Sequence, residues 1–337
     1  MQYVNTPKYA DLVLHRTIRT SIDTSLMSSI PLGMDKKAST QPQPKTGRID
    51  TADGCGLAID QWQGNRLPVV CAHGFGQTRG AWHGTARSLS QVGHAVITAD
   101  ARGHGQSDWN APQLPYCPSQ FVDDLIAVTG QLDRAPVLIG ASMGGLFGLM
   151  AEARWPGLFS AMVLVDITPR WENAGVSRIL DFMQAHSGGF ACLDEATDAV
   201  AAYLPHRPRR SAEQLKPLLR NGQDGRLYWH WDPRLLSELA MDADRHQQAI
   251  AQAAGGVSCP VLLVNGGRSD LVSDRTIAEF LDLVPQAHHV RLPEATHMVA
   301  GDDNDAFTTT VMQYLDTLPA LATDGLSATS HLTGALQ

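Results

Sequence analysis

No stretch of about 18 consecutive apolar residues occurs in the chain, so the sequence holds no candidate transmembrane helix. Residues 1–30 carry Asp11 and Asp23 among their basic residues and lack a continuous apolar segment, so they do not read as a secretory signal. Cysteine is sparse and unpatterned. Cys55, Cys71, Cys117, Cys192 and Cys259 are odd in number and far apart, with no CxxC and no Cys/His zinc spacing. That excludes a disulfide framework and points to a reduced, cytoplasmic setting, with each cysteine expected as a small buried apolar residue. Positive charge is in deficit. The formal net charge is −8, and Arg209-Arg210 is too short a pair to make a nucleic-acid patch, so nucleic acid is not expected as a partner. Internal repeats are absent, and no metal or other cofactor is expected.

What is present is an ordinary globular composition, 43% hydrophobic and 18% charged, on 337 residues, long enough to bury a sizeable core. Residues 35–47 (DKKASTQPQPKTG) are polar and aperiodic, and Met27 and Met34 offer alternative starts, so 1–47 is expected to be a weakly ordered extension. Arg48–Thr51 and Leu57–Trp62 flank an Asp53-Gly54 turn and predict a hairpin. Continuous apolar runs follow at Pro68–Ala72, Ala95–Ala99, Pro136–Ile139, Met162–Val165 and Pro260–Val264, with a weaker one at His288–Leu292. Such runs suit strands buried on both faces of a parallel sheet. Helical spacing links them, as in Phe121, Leu125, Val128 and Leu132, and again in Phe307, Val311, Tyr314 and Leu318. Together these predict an α/β fold with a doubly wound, mostly parallel, eight-stranded sheet. Residues 170–256 show no strand and many aromatics, and are expected to form a helical cap inserted between core segments 48–169 and 257–318. The Ala/Thr/Ser-rich segment 319–337 is expected to be a loose tail.

The central chemical signal is Gly140-Ala141-Ser142-Met143-Gly144-Gly145, directly after the strand Val137–Ile139 and before the helical Leu146–Arg154. A G-x-S-x-G between strand and helix is a nucleophile elbow: the turn strains the serine, and its neighbours must lack side chains for the helix to clear the strand. The hydroxyl then stands at the positive end of a helix. A serine hydroxyl is a weak nucleophile and needs a base. Of thirteen histidines, His297 lies between the last strand and the last helix; His73, His104, His288 and His289 occupy positions better suited to structural roles. The base needs an acceptor for its second nitrogen. Asp270 follows the strand Val261–Val264 at once, with 297 − 270 = 27 residues to His297, and is preferred; Asp166, ending the preceding strand, is the rival. The glycines of His73-Gly74-Phe75-Gly76 would let backbone amides face the reaction centre, so the N–H groups of Phe75 and Met143 are the expected oxyanion donors.

This set of motifs, with Asp100-Ala101-Arg102-Gly103-His104-Gly105-Gln106-Ser107, resembles the α/β-hydrolase superfamily over about residues 48–318. The resemblance implies that Asp100–Ser107 is a structural turn and that 170–256 is the cap lining the pocket. The order Ser142, Asp270, His297 is the family's order of nucleophile, acid and base. Serine at the elbow is unlike the family's dehalogenases and epoxide hydrolases, which use aspartate there. Its hydrolases of carbon–carbon bonds usually place tryptophan after the histidine, where this chain has Met298. His297–Asp302 is more similar to esterases and cofactor-free perhydrolases. The resemblance thus implies a serine esterase acting on a small-molecule ester, with lactone, perhydrolysis or carbon–carbon chemistry on the same groups as alternatives, and a non-catalytic ligand receptor as the different class. The aromatic cluster Tyr228-Trp229-His230-Trp231 is the densest candidate for the roof of the pocket. Trp229, His230 and Trp231 are therefore expected to meet a medium-sized hydrophobic or aromatic substrate.

Overall fold

The computed structural model describes residues 42–318, apart from 206, 208, 240–242 and 303. Most of the expected N-terminal extension and all of the expected tail lie outside the described residues. The first strand nevertheless begins at Lys45, so the ordered core starts before the expected boundary at 48.

Among the described residues ten strands form: β1 (Lys45–Asp50), β2 (Gly56–Trp62), β3 (Val69–Ala72), β4 (Val96–Ala99), β5 (Val137–Ala141), β6 (Ala161–Val165), β7 (Leu219–Asn221), β8 (Leu227–Trp229), β9 (Val261–Gly266) and β10 (His288–Leu292). Eight of them make one sheet in the order β1-β2-β4-β3-β5-β6-β9-β10. The β1–β2 hairpin and the β2–β4 pair are antiparallel, and every other pairing in this sheet is parallel. The period-2 geometry of the central strands sends alternate side chains into two layers. Leu138 and Leu164 join one layer with Val122, Leu149 and Phe280 from the covering helices. Val137, Ile139 and Val163 join the other with Leu89, Phe307 and Val311. Both faces are dry, which explains why these strands read as unbroken apolar runs.

The predicted helices occur as Pro118–Thr129 and Asn304–Thr317, so Leu132 and Leu318 lie just past their ends. The segment after β6 forms the cap. It holds helices Asn173–Ala185 and Leu193–Tyr203 and the short helix Arg234–Leu239. Two features depart from expectation. The cap contains the antiparallel hairpin β7–β8, whose three-residue strands are too short to register as periodicity. The helix Ala243–Ala254 packs Ile250 and Ala254 into the core layer of Leu149, so the inserted segment ends before it. No helix among the described residues is long and apolar enough to cross a membrane. The five cysteines are free; Cys55 and Cys71 are buried as expected, whereas Cys192 is exposed.

Candidate active site

The elbow begins where β5 ends. Ser142 has φ 45° and ψ −116°, a left-handed conformation that a serine adopts only when its surroundings enforce it. The enforcing contacts are backbone ones. The Ser142 N–H donates to the Val165 carbonyl at 3.1 Å, and the Ser142 carbonyl accepts from the N–H groups of Gly145 and Leu146 at 3.0 Å each. The helix Met143–Arg154 runs so close to the sheet that a Cβ on Gly144 would lie 2.5 Å from the Ala72 carbonyl oxygen, and one on Gly140 would lie 2.6 Å from Gly145 Cα. Only glycine fits at either position.

His297 lines the same cavity as Ser142. Its Nδ1–H donates to Asp166 Oδ2 at 2.8 Å. Asp166 follows β6, is fully buried and has φ 48°. Its carboxylate also accepts from the Gly266 N–H at 2.8 Å and from the Ser269 hydroxyl. The imidazole is thereby held in the tautomer whose Nε2 can accept a proton. The expectation for Asp270 is corrected here: its carboxylate pairs with Arg178 of the cap at 2.6 Å, and the carboxylate on His297 is that of Asp166. The reason is the strand order. β6 lies directly beside β5, which carries Ser142, whereas β9 is one strand further out.

The glycine loop after β3 lies against the elbow, since a Cβ on Gly74 would be 3.3 Å from Ser142 Cβ. Its peptide groups can be accounted for one by one. The Gly74 N–H donates to Gln77 Oε1 at 3.0 Å. The Gly74 carbonyl accepts from His73 Nδ1–H at 2.8 Å and from the Gln77 N–H at 3.1 Å. The Gly76 N–H donates to His104 Nε2 at 3.3 Å, and the Gly76 carbonyl accepts from His230 Nε2–H at 3.1 Å. Among the described residues the Phe75 N–H has no acceptor, and neither has the N–H of Met143 at the first turn of the helix. Unpaired amides beside a strained serine are what an oxyanion requires.

The family model for the alpha/beta hydrolase fold matches residues 68–303. The chain belongs to the α/β-hydrolase fold family. It is 28% identical over 273 residues to a 3-hydroxybutyrate-oligomer hydrolase of Cupriavidus necator, a match that covers 75% of this chain and 92% of that one. It is 27% identical over 284 residues to the sn-1-specific diacylglycerol lipase ABHD11 of Danio rerio, covering 79% and 84%. Among solved structures, E-2-(acetamidomethylene)succinate hydrolase superposes with a TM-score of 0.70 at 23% identity, covering 81% of this chain and 99% of that one. That last likeness concerns the fold. The names of the sequence relatives support a carboxylic ester hydrolase activity.

The Asp100–Ser107 segment is a braced turn. The Asp100 carboxylate takes the N–H groups of Arg79 at 2.7 Å and Gln106 at 2.9 Å, and Ser107 Oγ–H donates to the Asp100 carbonyl at 2.6 Å. Above the site is a cavity of about 1080 Å³ lined by Trp229 and Trp231 and by Phe147, Met150, Phe182 and Met183, among others. His230 does not line it. It is buried with both nitrogens engaged by backbone groups, so its expected contact with substrate is corrected to a structural one. Phe190 and Tyr228 also miss the cavity: Phe190 is in the cap's own core, and the Tyr228 hydroxyl donates to Asp224 at 2.7 Å. Gln77, unremarked in the sequence, connects the two sides of the site. Its Oε1 holds the Gly74 N–H, and its Nε2 lies 3.4 Å from Met298 Sδ, next to His297.

Proposed function

We propose that this chain hydrolyses a carboxylic ester of a medium-sized, hydrophobic or aromatic substrate through an acyl-enzyme on Ser142. Ser142 Oγ attacks the ester carbonyl while His297 Nε2 takes its proton, and Asp166 stabilises the imidazolium without itself taking a proton. The N–H groups of Phe75 and Met143 receive the negative oxygen of the tetrahedral intermediate. The intermediate collapses, His297 returns the proton to the departing alkoxide, and water then repeats the sequence on the acyl-enzyme. The observation that carries this reading is the hydrogen bond from His297 to the fully buried Asp166, which orients a base in the cavity that also holds the strained Ser142.

The apolar character of the substrate is supported by the cavity wall. The cavity volume is just above the roughly 300–1,000 Å³ usual for small-molecule pockets. Among the arginines on the wall, Arg178 pairs with Asp270 and Arg268 with Glu294, and Arg207 donates to the Met298 carbonyl at 3.2 Å. A lactone, a perhydrolysis or a carbon–carbon cleavage would use the same groups, whereas a ligand receptor would not form an acyl-enzyme. The test is turnover of p-nitrophenyl esters of graded chain length by the wild type and Ser142→Ala. Loss of turnover by several orders of magnitude in a folded Ser142→Ala supports the proposal; near-normal turnover refutes it.

A further inference from the structure

Three histidines, His73, His104 and His230, lie buried behind the glycine loop, away from the cavity. Their ring centroids are 5.2 Å apart for His73 and His104 and 6.0 Å for His104 and His230. None has a nitrogen left for a ligand. His73 donates from Nδ1 to the Gly74 carbonyl and accepts the Ala101 N–H on Nε2 at 2.9 Å. His104 donates from Nδ1 to the Arg102 carbonyl at 3.1 Å and accepts the Gly76 N–H on Nε2. His230 accepts the Gly105 N–H on Nδ1 at 2.8 Å and donates from Nε2 to the Gly76 carbonyl. Each ring is thus fixed as a single neutral tautomer, because each presents one nitrogen to a carbonyl and the other to an N–H.

His73 and His104 belong to loops of the sheet itself. His230 does not: it comes from the cap, one residue after β8, and its own N–H is anchored on the Leu218 carbonyl at 3.1 Å. Its imidazole therefore spans three segments, joining the cap to Gly76 of the glycine loop and to Gly105 of the Asp100–Ser107 turn. Gly76 has φ 73° and is gripped on both sides, its N–H by His104 and its carbonyl by His230. Those two bonds set the peptide planes that flank Gly76. The Gly76 carbonyl shares its peptide plane with the Gln77 N–H, and that N–H donates to the Gly74 carbonyl, which lies on the plane carrying the Phe75 N–H; His73 holds that plane directly, and His230 holds it through Gln77.

We infer that His230 is a positioning residue for the oxyanion-binding Phe75 amide, so that correct seating of the cap and competence of the reaction centre depend on the same side chain. The inference rests on the reading of Ser142 and Phe75 given above. Loss of His230 removes the bond to the Gly76 carbonyl and lets the loop relax. A donor displaced by a fraction of an ångström weakens its interaction with the transition state, where the oxyanion is fully formed, more than its interaction with the ground-state ester. The cost is therefore in kcat rather than KM, and it is smaller than the roughly 10²–10³ lost when an oxyanion donor is deleted outright.

The test compares His230→Ala, His230→Asn and His230→Gln with the wild type and Ser142→Ala, on p-nitrophenyl butyrate and with a trifluoromethyl ketone that forms a tetrahedral adduct. Glutamine places its Nε2 donor where the imidazole Nε2 lies, on the Gly76 carbonyl, whereas the amide of asparagine reaches only the Gly105 side. The expected result is a fall in kcat of about 10-fold or more for the Ala and Asn variants with KM changed less than about twofold. The ketone inhibition constant should rise by the same factor, and His230→Gln should recover most of the loss. Wild-type kcat in folded His230→Ala or His230→Asn, or a loss confined to KM, overturns the inference. If His230→Ala does not fold, the Asn and Gln pair still separates the two outcomes. Ser142→Ala with wild-type turnover would overturn the ester-hydrolase reading instead; an inactive Ser142→Ala beside a fully active His230→Asn overturns only the role of His230.

Discussion

Asp166→Asn should inactivate the enzyme without unfolding it, and the atoms around Asp166 show why. Oδ1 accepts the Gly266 N–H, and Oδ2 accepts both the Ser269 hydroxyl and His297 Nδ1–H. An asparagine must keep its single oxygen towards Gly266, because a backbone N–H can only donate. Its NH2 then faces His297, Nδ1 becomes the acceptor, and the ring proton moves to Nε2. A ring protonated at Nε2 cannot take the Ser142 proton. The same exchange in a well-studied serine protease lowers kcat by about 10⁴, or roughly 5 kcal/mol of transition-state stabilisation. Asp270→Asn provides the contrast. Asp270 and Arg178 form a partly exposed pair, with side chains 35% and 56% accessible, and such pairs contribute about 0–1 kcal/mol. Asp270→Asn should retain kcat/KM within about 10-fold. Steady-state hydrolysis of a p-nitrophenyl ester by both variants, with circular dichroism to confirm folding, decides the matter. A larger loss in Asp270→Asn than in Asp166→Asn would refute the reasoning.

Further outcomes follow from the same contacts. The Arg102 guanidinium is 1% exposed and held by Asp124 at 2.6 Å and Asp53 at 2.8 Å, so Arg102→Met leaves the buried Asp124 without its partner; urea titration should show a loss of about 3–5 kcal/mol. Burial lowers the pKa of His230 from 6.5 to about 4, so the native state resists protonation that the unfolded chain accepts. Its contribution is present in full above pH 6.5 and is lost as pH falls towards 4, by up to about 3 kcal/mol, and thermal melts of wild type and His230→Gln across that window should show the Gln variant falling less steeply. Gly144→Ala places a methyl against the Ala72 carbonyl and should abolish activity while lowering the melting temperature. Trp229→Ala opens the cavity wall and should alter KM and chain-length preference while leaving the rate of labelling by a small fluorophosphonate unchanged.

Much of this is legible in the sequence, and what is not has identifiable causes. The five continuous apolar runs form β3, β4, β5, β6 and β9 because a parallel sheet covered on both faces allows no polar alternation to blur them, while the weaker sixth run forms the partly exposed edge strand β10. The elbow was readable because Gly140, Ser142 and Gly144 answer to local geometry, as did the place of His297 between β10 and the last helix. The acid was not readable, since Asp166 and Asp270 both follow parallel strands and differ only in the neighbours those strands take. Asp166 is selected by the adjacency of β6 to β5 and by Gly266, and Asp270 is drawn off by Arg178, which lies 92 residues away on the cap. His230 shares an aromatic cluster with two tryptophans that do line the cavity, and only its backbone partners, Gly76 and Gly105, show that it faces the other way. The β7–β8 hairpin left one local trace, the Asn221-Gly222-Gln223-Asp224-Gly225 turn, in which Gly225 has φ 80°.

The central claim is that Ser142 is the nucleophile, activated by His297 and Asp166. It is tested most directly by intact-protein mass spectrometry after exposure to a fluorophosphonate, followed by peptide mapping of the adduct. The account predicts one adduct on Ser142 in the wild type, none in Ser142→Ala, and labelling slowed by orders of magnitude in His297→Ala and Asp166→Asn but not in Asp270→Asn. An adduct on another residue, or labelling of Ser142 at the wild-type rate in His297→Ala and Asp166→Asn, would contradict it.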